Sequence, residues 1–167
     1  GPRRSRGSPI MPISRADGEK FGKDWMAAFA AGFTENNHPV TLKPFLADKL
    51  TWDWSDGTKG EGEPAGKDGP CTKMSETWGA MVDSFNLPTF QTVVDTTNAK
   101  VIMTGPLIIN VTGPGSLVPN QLVHNPICFV MTLDDKGKAT KWECYWDNED
   151  PGMAKALGNV MAKMPKQ

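Results

Sequence analysis

A chain of 167 residues, 38% hydrophobic and 22% charged, has the size and make-up of one globular domain, able to bury about two thirds of its unfolded surface around a single core. A formal net charge of -1 excludes the basic excess on which nucleic-acid binding draws, and no apolar run approaches the roughly 20 residues that span a bilayer. Neither nucleic acid nor a membrane is expected as a partner, and the composition predicts a soluble protein.

Residues 1–16 read as a flexible basic tail, with Arg3, Arg4, Arg6 and Arg15 among Ser, Gly and Pro. An Arg-rich, acid-free start also fits the remnant of a transit segment, so the expected location is intracellular: the cytoplasm, or an organelle such as the plastid. From Asp17 to Phe33 the apolar residues Phe21, Trp25, Ala28, Phe29 and Phe33 form the stripe of an amphipathic helix, opened by Ser14 and Asp17 and closed by Asn36-Asn37-His38-Pro39. A short second helix is predicted around Leu42, Phe45 and Leu46. "LTWDWSD", residues 50–56, alternates as a strand with Trp52 and Trp54 on one face and Asp53 on the other. The glycine-rich stretch 56–70 reads as loop, and Met74, Trp78, Met81, Val82 and Phe85 predict one helix over 72–86.

The second half reads as four strands, "FQTVVDTT", "AKVIMTGPLIINVTG", "NQLVHNPICFVMTLDD" and "GKATKWECYWD", followed by a helix with Asp150 as N-cap and Met153, Leu157, Val160 and Met161 as its stripe. Helices first and a sheet afterwards is an α+β pattern. The two central strands are apolar on both parities, with Val101, Met103, Leu107 and Ile109 against Ile102, Pro106 and Ile108. A sheet of that kind is covered on both faces, by helices on one and by a second copy of the chain on the other, so a homodimer is expected.

Several chemistries fail on spacing. The stretch 60–67 matches neither a P-loop nor a dinucleotide turn. With only His38 and His124, no triad is visible, and no histidine or cysteine has a neighbour at metal-ligand spacing, so neither metal nor cofactor is expected. The thiols Cys71, Cys128 and Cys144 read as reduced. Carboxylate acid/base work is what remains, because an apolar surrounding raises a carboxyl pKa toward neutrality. Asp53, between two tryptophans, and Asp147, after Trp146, have such local settings. Against them, ideal alternation turns Asp53 away from Trp52 and Trp54 and makes Glu143 a solvated charge, while Asp150 has a structural task as helix cap. His124 is either a pocket acid/base or a satisfied structural histidine, and Tyr145 either orients a ligand or packs. Trp52, Trp54, Trp78, Trp142 and Trp146 are core residues or, alternatively, the walls of a cavity for a flat apolar ligand.

The order of elements, with "PFLADKLTWDWSDG" as a helix-to-strand step, "DDKGKATKWECYWD" as a hairpin into a final strand and Trp146, Asp147 and Asp150 as a closing run, resembles the SnoaL-like polyketide cyclase branch of the nuclear transport factor 2-like superfamily. The resemblance covers roughly residues 17–162 and implies a cone-shaped curved antiparallel sheet wrapped on the N-terminal helix, an α+β barrel with a pocket in its mouth. It also implies dimerisation across the outer sheet face and a pocket Asp as proton shuttle, with Asp53 at the early-strand position and Asp147 or Asp150 at the late one. The expectation is a metal-independent isomerase, cyclase or dehydratase for an apolar cyclic substrate, with Asp147, Asp53, His124 and Tyr145 as its chemistry. The alternative is a non-catalytic ligand-binding or assembly module of the same fold.

Overall fold

Residues 10–166 are described by a computed structural model of the chain, and the tail arginines Arg3, Arg4 and Arg6 lie outside them. The first helix, α1 (Arg15–Glu35), starts where a cap is available: the Ser14 hydroxyl accepts from the Asp17 N–H at 3.0 Å. Phe21, Trp25, Met26, Phe29 and Phe33 are buried along one stripe, and Asn36 ends the helix in the left-handed region at φ 48°. A single turn, α2 (His38–Thr41), and a 3₁₀ turn over Lys43–Phe45 follow, so Leu42 is buried there while Leu46 already belongs to a strand.

That strand, β1 (Leu46–Trp54), buries Leu50, Trp52 and Trp54 and exposes Thr51 and Asp53, as its alternation predicts. The loop reading of 56–70 needs correction, because it holds a short edge strand, β2 (Lys59–Gly62), antiparallel to β1. Glycine is required there rather than a mark of loop: a Cβ at Gly60 would stand 2.5 Å from the ring of Trp52, which covers it.

The helix predicted over 72–86 is three elements, α3 (Pro70–Glu76), α4 (Trp78–Met81) and β3 (Val82–Asn86). A bulge explains the misreading. The register of β3 against its partner shifts between Val82 and Ser84, so Val82 and Phe85, three apart, both face inward and counterfeit helical spacing.

The remaining strands are β4 (Gln91–Asp95), β5 (Lys100–Val111), β6 (Gln121–Leu133) and β7 (Ala139–Trp146), in a curved, unclosed sheet of order β2-β1-β7-β6-β5-β3, with β4 also paired to β5. It is mixed rather than antiparallel throughout, since β1 runs parallel to β7. Inward parity on β5 buries Val101, Met103, Leu107, Ile109 and Val111, and on β6 Val123, Asn125, Ile127, Phe129 and Met131. Trp25 of α1 fills the concave side, with its ring 5.1 Å from Trp142 and 6.3 Å from Phe129. The last helix, α5 (Pro151–Lys163), is capped by the Asp150 carboxylate, which accepts from the Met153 N–H at 2.8 Å. It packs on β5 and β6 through Met153, Ala156 and Val160, while Met161 points into solvent, contrary to its predicted place in the stripe.

Candidate functional site

A cavity remains between the C-terminal half of α1, the inward face of the curved sheet and the shorter helices. Its wall is Phe29 and Phe33 from α1, Trp54, Val82, Phe85, Leu107, Ile109, Ile127, Cys144 and Trp146 from the strands, and Met74, Trp78 and Met153 from the helices that cover it. The space between these walls is about 50 Å³ and opens to solvent on one side. Trp78 and Trp146 are the half-buried aromatic members of the wall and meet edge to face, with centroids 6.3 Å apart; they form the rim. Among the residues lining it there is no carboxylate, imidazole or hydroxyl.

The end of β7 is clasped from two sides. Ser55 accepts from the Trp146 N–H at 3.0 Å and returns a hydrogen bond to the Trp146 carbonyl at 3.2 Å. The Asn125 side chain, 2% exposed, donates to the Asp147 carbonyl at 2.9 Å and accepts from the Asp147 N–H at 3.0 Å. Its amide prolongs the β6–β7 ladder by one step beyond the Ile127–Trp146 pair. Trp146 is thereby aimed at the cavity, and Asp147 is turned outward, where its carboxylate accepts from the Glu149 N–H at 2.9 Å.

The sequence candidates therefore divide. Trp54, Trp78 and Trp146 line the cavity; Trp142 lies deeper, packed on Trp25 and Trp54, and Trp52 lies beneath β2. Asp53, His124 and Tyr145 are all exposed on the convex face of the sheet, opposite the cavity. The Tyr145 hydroxyl donates to Glu143 at 3.2 Å, and its pKa is raised by desolvation and by the Glu143 charge beside it. His124 stands across from Ile108, four residues along β6 from Cys128, the partner of Tyr145. None of the four proposed acid/base groups meets another within the cavity.

Sequence reasoning missed His38 and Asn125. Asn125 had a signal, a polar residue on the inward parity of an apolar strand. His38 had none that spacing could show: it is fully buried, its ring packed edge-on to Phe33 at 4.5 Å and Phe29 at 5.6 Å, behind the cavity wall. Burial pushes its pKa down to about 4, against a weaker upward pull from the Phe29 carbonyl, so the ring is neutral. Its backbone N–H donates to the Ser75 hydroxyl at 3.2 Å. Room for the ring depends on Gly32, where a Cβ would stand 2.4 Å from His38 Cδ2. Burial also raises the thiol pKa of Cys71 to about 12 and that of Cys144 well above its usual value, so neither is a thiolate nucleophile near neutral pH. Among the described residues no three His, Cys, Asp or Glu side chains converge where a metal ion could be held, and no helix is long and apolar enough to cross a membrane.

No family model and no curated protein sequence matches the chain. Solved structures do. The BvnE pinacolase of Penicillium brevicompactum superposes with a TM-score of 0.62 at 16% identity, over 89% of this chain and 93% of that one. A protein of Shewanella denitrificans described as a SnoaL-like polyketide cyclase gives 0.58 at 12% identity, over 90% and 100%. The fold is that of the SnoaL-like, nuclear transport factor 2-like superfamily. A third neighbour, SalBIII, an epoxide hydrolase/cyclase-like enzyme in pyran ring formation in the polyether salinomycin, gives 0.55 at 18% identity, over 80% and 96%. At such identities the likeness establishes architecture, and chemistry has to come from the side chains of this chain.

Proposed function

We propose that this chain is a small-molecule pocket protein that takes up a flat, apolar cyclic ligand at the mouth of its cone, and that it does so by binding rather than by carboxylate acid/base chemistry. The observation that carries the reading is the cavity wall, which is aromatic, aliphatic and sulfur throughout, while Asp53, His124 and Tyr145 lie on the opposite face of the sheet and Asp147 on an exposed turn. A general acid or base has to come within hydrogen-bond reach of the proton it moves. A wall without such a group supplies hydrophobic contact and exclusion of water, which suits an aromatic or terpenoid ring system.

The test is a thermal-shift and calorimetric titration with bicyclic hydrocarbons and cyclic terpenes, on the native chain and on Ile127→Trp, which fills the cavity. Saturable binding lost in the variant supports the reading; equal binding to both proteins sinks it. A second reading, an isomerase or cyclase, is favoured by the pinacolase and cyclase neighbours. In this chain its proton carrier would have to be His38, which lies behind Phe29 and Phe33 and would reach a substrate only if those rings moved aside; turnover abolished by His38→Phe in a folded protein would favour it. The convex face, on which Val93, Ile102 and Val130 form one cross-strand row, is proposed to meet the same face of a second copy. A monomer by sedimentation at micromolar concentration would exclude that.

A further inference from the structure

We propose that the cavity is filled through the movement of one jaw: the segment 70–81, with α3 and α4, swings outward carrying Met74 and Trp78, while the end of β7 with Trp146 stays fixed. This rests on the ligand-binding reading above. The space between the walls, about 50 Å³, is about a third of the roughly 150 Å³ of a dry engineered cavity that binds benzene. A cyclic ligand therefore requires part of the wall to move.

The parts of that wall differ in how they are held. Ile109, Ile127 and Cys144 are each paired to a neighbouring strand on both sides, and Leu107 is paired to Asn125 of β6 on one side. Trp146 is fixed by Ser55, the residue after β1, and its neighbour Asp147 by Asn125 from β6, and the Asn148 amide donates to the Ser55 carbonyl at 2.7 Å. The segment 70–81 has a different construction. It is pinned at its two ends, where the Cys71 N–H donates to the Pro64 carbonyl at 3.0 Å and the Met81 carbonyl accepts from the N–H groups of Thr112 and Gly113 at 3.0 and 3.1 Å. Between these pins the helix is broken at Thr77, with φ −107° and ψ −79°, into pieces of seven and four residues. Helices so short have no stability of their own and stay in place only by packing. The polar tie across the middle is the hydrogen bond from the His38 N–H to Ser75 Oγ, one residue from Met74. A flap fixed at both ends, jointed in the middle and held by one such tie is the part of the wall with the least to lose on opening.

Amide hydrogen exchange on the whole chain tests this, with and without naphthalene, a flat bicyclic hydrocarbon, and again for Ser75→Ala. In the free protein, amides of 72–81 are expected to exchange through an opening at least a hundredfold more populated than the one that exposes β5, β6 and Trp146. Ser75→Ala should raise that opening several-fold, and saturating naphthalene should slow exchange in 72–81 by tenfold or more. Exchange in 72–81 as slow as in β5 and β6 overturns the moving jaw, whatever naphthalene does. Saturable naphthalene binding that leaves 72–81 unprotected overturns the jaw and leaves the binding reading standing. A segment that opens while naphthalene binds nowhere overturns the binding reading, and the gating role falls with it.

Discussion

Acid should loosen this protein well above the pH at which its carboxylates protonate, and His38 is the reason. Its ordinary value is 6.5, and burial lowers it to about 4 in the folded chain. The unfolded chain therefore binds a proton first as pH falls, so stability is complete above pH 6.5, declines below it and stops declining near pH 4. Each pH unit between those two values weakens the fold by about 1.4 kcal/mol, so the loss is about 2 kcal/mol between pH 8 and pH 5 and roughly 3 kcal/mol by pH 4. For a chain of this size that is a fall in Tm of about 4–8 °C by pH 5. Urea unfolding at half-unit steps from pH 8 to pH 5 gives the slope, and His38→Phe isolates the histidine, because the other histidine, His124, is exposed. The variant's curve should be nearly flat over that window. A slope in His38→Phe equal to that of the native chain, or a His38 ring that titrates by NMR near 6.5, would refute the reasoning.

Other consequences follow from the packing and the clasp. Trp142→Ala removes a fully buried indole between Trp25 and Trp54 and should cost about 3–5 kcal/mol in urea unfolding. Asn125→Leu keeps the inward side-chain volume but leaves the Asp147 N–H and C=O without their partner; a loss of about 1–3 kcal/mol is expected, with a changed near-ultraviolet signal from Trp146. Asp53→Asn and Asp147→Asn should each change stability by no more than about 0.5 kcal/mol and leave hydrocarbon binding untouched, as fluorescence-monitored urea titration and calorimetry would show. Gly32→Ala should be destabilising by about 1–3 kcal/mol, since its methyl group meets the His38 ring.

Much of the fold was legible because one face of each strand is buried. Parity alone turned Trp52 and Trp54 inward and Asp53 outward and separated Val101 and Met103 from Ile102; it also made Glu143 a solvated charge, whereas its side chain is only 16% exposed, beside Lys141 and the Tyr145 hydroxyl. Parity gives the face and not the depth along the cone, so it left Trp52, Trp54, Trp142 and Trp146 equivalent although only Trp54 and Trp146 reach the cavity. The bulge in β3 defeated period counting over 82–85, and the parallel pairing of β1 with β7 joins segments some 90 residues apart that no local pattern connects. Asp147 sat at the one place where parity stops, the end of a strand. Its direction was decided by Asn125 and Ser55, from two other strands of the sheet or their ends. His38 was hidden for a related reason: its pocket is made by Gly32, Phe29 and Phe33 on a different helix.

The most direct measurement is a set of intermolecular NOEs between bound naphthalene and the methyl groups of the protein. Contacts to Leu107, Ile109, Ile127 and Val82, which face the cavity, are the expected result. Contacts to Ile102, Val130 and Val93 on the convex face, or no saturable contacts at all, would contradict the claim that this cone binds an apolar ligand in its mouth.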